Sequence, residues 1–255
     1  MITASHRPKT LDEALALLTQ PNTLPLGGGT LLSQPTPFDP TQGKPDSVHA
    51  VDLQLLGLDS LRVNGSSLDL GATLTLQSLL ESEHCPEALK RALKLEAPLN
   101  IRNSATTAGT LISCDGRSTF ATVLLALDAR LEIRDSIGKS QVSSLGEFLP
   151  LRPRGLITSI TIPLNIKLAF EYVSRTPADK PIVCVALAQW NSGRTRLTVG
   201  GFGKSPMLAM DGTASDDVAS AARNAFHEAT DDYGSAEYRM DVASTLAKRC
   251  LESIR

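Results

Sequence analysis

The stretch from Asn100 to Ile133 constrains this chain most. It runs Asn-Ile-Arg-Asn-Ser-Ala-Thr-Thr-Ala-Gly-Thr-Leu, breaks at Cys114-Asp115-Gly116, and resumes as an apolar run from Phe120 to Leu127 closed by Asp-Ala-Arg-Leu-Glu-Ile. Small hydroxyl residues around a glycine, feeding an apolar helix, let a phosphate approach bare backbone N–H groups. An earlier segment, Pro25-Leu-Gly-Gly-Gly-Thr-Leu31, repeats the design with a short apolar strand, glycines and a Thr hydroxyl. Alone, Gly27 to Gly29 reads more readily as a plain turn, because glycine clusters are common punctuation. Two phosphate-sized nests in one chain suit a dinucleotide too long for either, and FAD is the expected ligand.

A chain of 255 residues can bury a real core and split into two or three compact parts. With 25 basic and 27 acidic residues, a net charge of -2 and no basic stripe interleaved with aromatics, neither nucleic acid nor an anionic membrane is an expected partner. No apolar run approaches the roughly 18 residues of a membrane span. Met1 to Arg7 lacks the charged-then-apolar layout of a signal peptide, so the expected location is the cytoplasm. Cys85, Cys114, Cys184 and Cys250 stand alone, without C-x-x-C pairs or histidines at ligand spacing, and no metal site is expected in this chain. His6, His49, His84 and His227 likewise have no partner spacing, and no catalytic residue is assigned.

Hydrophobic periodicity organises the rest. Thr10 is a helix cap before Leu11, Ala14, Leu15, Leu17 and Leu18, and Leu24 to Leu26 is a short buried strand. Val51 to Leu53 reads as a strand, and Leu61 to Leu70 as a hairpin around Asn64-Gly65. Thr75 caps a helix, Glu87 to Leu95 forms another, and Ala129 to Ile133 pairs with a return strand near Gln141. From Leu156 the pattern becomes an antiparallel meander over 156–162, 168–173, 182–190 and 194–199. Two Ala-rich helices follow, roughly 214–229 and 236–254, and should cover one face of it.

In order along the chain, Leu26-Gly-Gly-Gly-Thr, Val51-Asp-Leu, Gly71-Ala-Thr-Leu-Thr, Ile101-Arg-Asn, Thr106-Thr-Ala-Gly-Thr and Gly234-Ser-Ala-Glu-Tyr-Arg resemble the FAD-binding medium subunit of the molybdenum hydroxylases. This is the xanthine dehydrogenase and carbon monoxide dehydrogenase family, and the likeness covers nearly the whole chain. It implies an α+β fold: a two-part FAD-binding domain of the vanillyl-alcohol-oxidase (PCMH) type over 1–153, divided at about 55/56, then a smaller α+β domain over 154–255. It also implies an oxidoreductase subunit whose flavin takes electrons from an iron–sulfur subunit and passes them to an external acceptor. The molybdenum cofactor and [2Fe-2S] clusters would reside in partner subunits, the whole being a dimer of heterotrimers.

Carried over position by position, the family's first phosphate loop falls on Gly27, Gly28, Gly29, Thr30 and Leu31, and its second on Thr106, Thr107, Ala108, Gly109 and Thr110. There Ala108 stands for a family glycine and Thr110 for an asparagine. A methyl group where backbone must approach a ligand penalises positive φ, and a hydroxyl lacks the amide's paired donor and acceptor. A family carboxylate aligns with Thr119, with Asp115 four residues earlier as its substitute or as a simple Asx-turn residue. Ile157 and Arg175 are expected near the isoalloxazine ring, where a cation would stabilise reduced flavin. The departures keep open a relative that binds a smaller ligand, and a degenerate, flavin-free scaffold subunit.

Overall fold

The structure, a computed structural model, describes residues 2–30, 48–213 and 217–255. Strand β1 (Ile2–His6), helix α1 (Leu11–Leu18), β2 (Thr23–Leu26) and β3 (Val48–Asp52) open the chain. β3 lies between β1 and β2 and parallel to both. Thr10 caps α1 by accepting the Glu13 N–H, as its sequence position predicts. A small core of Ala14, Leu15, Val51, Leu53 and Leu156 joins α1 to this sheet.

The hairpin forms as β4 (Leu61–Asn64) and β5 (Ser67–Gly71), turning at Gly65, whose φ of 59° suits glycine. Helices α2 (Leu76–Glu81), α3 (Glu87–Glu96), α4 (Leu99–Arg102), α5 (Thr107–Ser113) and α6 (Thr119–Ala126) follow. Then come β6 (Arg130–Arg134), β7 (Ser140–Ser144), α7 (Leu145–Leu151) and β8 (Leu156–Pro163). β8 corrects the sequence reading. It lies between β5 and β6 in a five-stranded sheet of order β4-β5-β8-β6-β7, not at the head of the meander. An alternating strand carries no mark of which sheet it joins, because register is settled by partners distant in sequence.

The meander is β9 (Ile166–Val173), β10 (Val183–Trp190), β11 (Thr195–Gly200) and β12 (Met207–Gly212), all antiparallel neighbours. Helices α8 (Val218–Asn224) and α9 (Ala236–Ile254) pack on one face. β10 explains its own unbroken apolar run. Val183, Val185 and Leu187 point to α8 and α9, while the small Cys184, Ala186 and Ala188 point to the core that holds α6. Every residue of α6 is buried, so the helix bridges the five-stranded sheet's helices and the meander. Arg239 of α9, also fully buried, donates to the Ile182, Ala229 and Gly234 carbonyls and to Asp231. The Gly234-to-Arg239 motif is thus a structural lock within the second half of the chain.

Candidate functional site

Two turns distant in sequence meet at one cleft. The glycine turn leaves β2, and the Asn103–Thr106 turn leaves α4 and enters α5. A Cβ added at Gly28 would sit 1.6 Å from the Ser104 carbonyl oxygen, and one at Gly27 would sit 2.8 Å from Thr106 Oγ1. Only bare backbone allows that approach. Gly29 adds a φ of 70°. The resulting cleft, of about 410 Å³, is lined by Gly27, Gly28, Gln54, Asp59, Thr73, Leu74, Thr75, Ser78, Asn103, Ser104 and Thr106. That volume lies within the range of small-molecule sites.

The N–H groups around the cleft divide sharply. Among the described residues, no hydrogen bond engages the N–H of Gly27, Gly28, Gly29 or Thr106. In the second loop the expectation of bare N–H groups is corrected: Thr107 donates to Leu74 O, Ala108 to Ala72 O, Gly109 to Thr106 Oγ1 and Thr110 to Thr106 O. The cause is that α5 starts at once, with Thr106 as its cap, and docks on the Gly71–Thr75 segment. Thr107 is fully buried and its hydroxyl donates to Gly71 O, while the Thr110 hydroxyl donates to Thr106 O. Of the five second-loop positions, Thr106 alone lines the cleft.

The start of α6 is engaged as well. The Glu96 carboxylate of α3 accepts from Ser118 Oγ at 2.9 Å, Thr119 Oγ1 at 3.1 Å and the Phe120 N–H at 2.9 Å. Lys180 Nζ lies 3.4 Å from its other oxygen. An internal anion therefore fills the dipole-favoured position that a ligand phosphate could have taken. Thr119, with a second bond to Ala92 O, belongs to that internal cluster. Asp115 is exposed and accepts from the Arg117 N–H as an Asx turn. Ile157 is buried in β8 opposite Ile133. Arg175, exposed between β9 and β10, donates to the Asp232 and Tyr233 carbonyls. None of these four lines the cleft, and Leu31 lies outside the described residues. Thr30 is the last described residue of the first turn.

Sequence reasoning passed over the cleft residues Gln54, Asp59, Thr73, Thr75 and Ser78. For Thr73 and Thr75 a signal was available in Gly71-Ala-Thr-Leu-Thr, a short hydroxyl-bearing turn before a helix; Gln54, Asp59 and Ser78 had none. Gly71 is itself obligatory, since a Cβ there would lie 2.1 Å from Leu58 O. Asp59 is the sole charged residue of the lining, which leaves backbone N–H groups and hydroxyls as the donors there. A larger concavity of about 710 Å³ lies between β12 and α8, where Asp211 is already paired with Arg194 and Arg196; it has no comparable glycine turn. The four cysteines are buried and unpaired. Burial pushes the thiols of Cys85 and Cys184 up to about 12 and that of Cys114 to about 11, which keeps them protonated.

Residues 2–165 match the family model described as the FAD binding domain in molybdopterin dehydrogenase. The chain is similar to the uncharacterized protein YgfM of Escherichia coli strain K12, 27% identical over 253 residues that cover 96% of this chain and 94% of that protein. It is also similar to the carbon monoxide dehydrogenase medium chain of Afipia carboxidovorans, 27% identical over 277 residues, 97% of this chain and 94% of that one. Among solved structures, reconstituted CO dehydrogenase from Oligotropha carboxidovorans superposes with a TM-score of 0.82 at 25% identity, covering 98% of this chain and 96% of that one. Quinoline 2-oxidoreductase from Pseudomonas putida 86 shares the fold, with a TM-score of 0.80 at 19% identity over 98% and 96% of the two chains.

Proposed function

This chain belongs to the family of FAD-binding domains of molybdopterin dehydrogenases, and from that premise we propose that it is the flavin-bearing electron-transfer subunit of a molybdenum hydroxylase complex. The observation that carries the proposal is the cleft between the two turns. Its glycines exclude any Cβ, and the Gly27, Gly28, Gly29 and Thr106 N–H groups have no acceptor among the described residues. Such a cradle fits a diphosphate, whose oxygens accept from N–H groups that the fold leaves over.

The chain's own part is to bind and orient. Gly27 to Thr30 would present N–H groups to the diphosphate, with Thr106 opposite, while Ala108, Gly109 and Thr110 keep the opposing wall rigid through their internal bonds. When bound, FAD supplies the redox chemistry, accepting electrons delivered from a partner's iron–sulfur clusters and releasing them to an external acceptor. Arg175 remains a proposed neighbour of the ring, though its guanidinium is also held by the Asp232 and Tyr233 carbonyls. Ile157, Asp115 and Thr119 lie outside the cleft lining, and no part in holding the diphosphate is proposed for them.

We place the division between the two domains after β8, near residue 165, later than the 153/154 expected from sequence, because β8 completes the first domain's sheet. The first domain itself divides near 55/56, between the three-stranded sheet and the five-stranded one. The complex we propose is a cytoplasmic dimer of heterotrimers with an iron–sulfur subunit and a molybdenum-cofactor subunit. No helix among the described residues is long and apolar enough to cross a membrane.

The engaged N–H groups of the second loop favour a second reading, a flavin-free scaffold in the same kind of complex. Purification from the native host with a tag on this chain separates the two. Flavin absorbance together with iron and molybdenum in one fraction supports the relay. Iron and molybdenum without flavin supports the scaffold, and a lone monomer without either metal refutes both.

A further inference from the structure

The threonines around the cleft are used unequally. Thr75 Oγ1 caps α2, accepting the Ser78 N–H and sharing a hydrogen bond with Ser78 Oγ. Thr106 Oγ1 caps α5 through the Gly109 N–H, and Thr107 Oγ1 donates to Gly71 O. Thr73 Oγ1 has no partner among the described residues, and the residue, only 8% exposed, lines the cleft. Among the described residues it is the one buried hydroxyl left so.

That isolation is built in. The Thr73 N–H donates to Leu58 O, the Ala72 N–H to Thr158 O and the Leu74 N–H to Gly71 O, while Ala72 O accepts from the Ala108 N–H. The backbone on both sides is thus fixed by its own hydrogen bonds, which use none of the Thr73 hydroxyl. A buried polar group left unmatched is destabilising unless something else satisfies it. Here the adjacent space is the cleft itself, also lined by Gly27 and Gly28, whose N–H groups have no acceptor among the described residues. Donors from both segments describe a seat for an acceptor oxygen, with Asp59 the one charged side chain of the lining.

The geometry points to Thr73 as a ligand-contacting residue of this site, its hydroxyl donating to a diphosphate oxygen of the bound dinucleotide. The assignment rests on the FAD reading and adds a contact that no phosphate-loop motif contains. Thr73→Val replaces the hydroxyl by a methyl group of nearly equal size, and Thr73→Ser restores it. ADP serves as a second probe, carrying the diphosphate and adenosine without the flavin ring.

Affinities of the full chain for FAD and ADP are measured by calorimetry, with the melting temperature of the ligand-free protein as control. The assignment predicts that Thr73→Val weakens FAD and ADP alike, by about tenfold. The ligand-free melting temperature should stay level or rise, because an unmatched hydroxyl has gone, and Thr73→Ser should keep wild-type affinity. Unchanged affinities in a folded Thr73→Val protein overturn the contact while leaving FAD binding intact. Weakened FAD with unchanged ADP overturns its placement on the diphosphate. A wild-type chain that binds neither probe refutes the FAD reading and this contact with it.

Discussion

The turn at Gly27–Thr30 and the turn at Thr106–Thr110 stand on opposite walls of one cleft, and their backbones meet opposite fates. The first offers N–H groups with no acceptor among the described residues, whereas four of the five in the second are bonded inside the fold. Glycine content alone does not decide this. The first turn brings the bare backbone of Gly28 against Ser104 and stays outside regular structure, while the second is absorbed into α5. Whether a glycine turn can serve a phosphate therefore depends on the hydrogen bonds its backbone leaves unmade.

The comparison breaks most visibly at Gly28. Gly28→Val forces a β-branched side chain into the Ser104 carbonyl, which should lower stability by about 3 kcal/mol and reduce flavin retained through gel filtration to background. Retained flavin in a folded variant would make the first turn a mere turn. Next in size is Glu96→Gln, which removes the charge engaged at the start of α6. A loss of about 1–3 kcal/mol in denaturant unfolding is expected, with flavin affinity unchanged; a flavin-specific loss would mean α6 takes part in binding.

Ala108→Gly with Thr110→Asn sharpens the contrast from the other side. Were Ala108 crowding the diphosphate, this pair would tighten flavin by about 1 kcal/mol, a neutral hydrogen bond's worth. Because the Ala108 N–H already serves Ala72 O, the expected change in flavin affinity is under about twofold. The glycine should instead lower stability by roughly 0.5–1 kcal/mol. Titration of the double variant against wild type reads both numbers.

The smallest effect is in pH. Burial pushes the Asp231 carboxyl upward, but the Arg239 guanidinium and the Tyr233 and Gly234 N–H groups outweigh it and hold the carboxyl below the usual range. A depressed carboxyl contributes stability that is present above its unfolded value, near pH 4, and is lost as pH falls through its folded value. Melting temperature should therefore be insensitive to this pair from neutral pH down to about pH 4 and fall below it. Asp231→Asn should flatten that acid limb without altering flavin affinity.

Much of the fold was legible where local signals sufficed. The helix 236–254 matches α9 to the residue, Thr10 and Thr75 cap the helices they should, and the hairpin turns at Gly65. β1, α7 and β12 went unread. α7 is short and holds Pro150, although its Ser144–Glu147 capping box was present in the sequence. β12 is a short edge strand, Met-Leu-Ala-Met-Asp-Gly, with neither β-branched nor aromatic residues to mark it. Within the site, glycines and hydroxyls were legible as residue types. Which N–H groups stay unengaged was not, because that depends on Ala72 and Leu74 reaching across from a segment some thirty residues away. Thr73 escaped for the same reason: an unpartnered hydroxyl is a property of everything around it.

Titration of the chain, freed of any bound flavin, with FAD and with FMN tests the central claim most directly, since a cradle built for a diphosphate discriminates between them. The account predicts one FAD per chain, with FMN at least about tenfold weaker for want of the second phosphate and the adenosine. FMN binding as tightly as FAD, or no uptake of FAD by the folded chain, would contradict it.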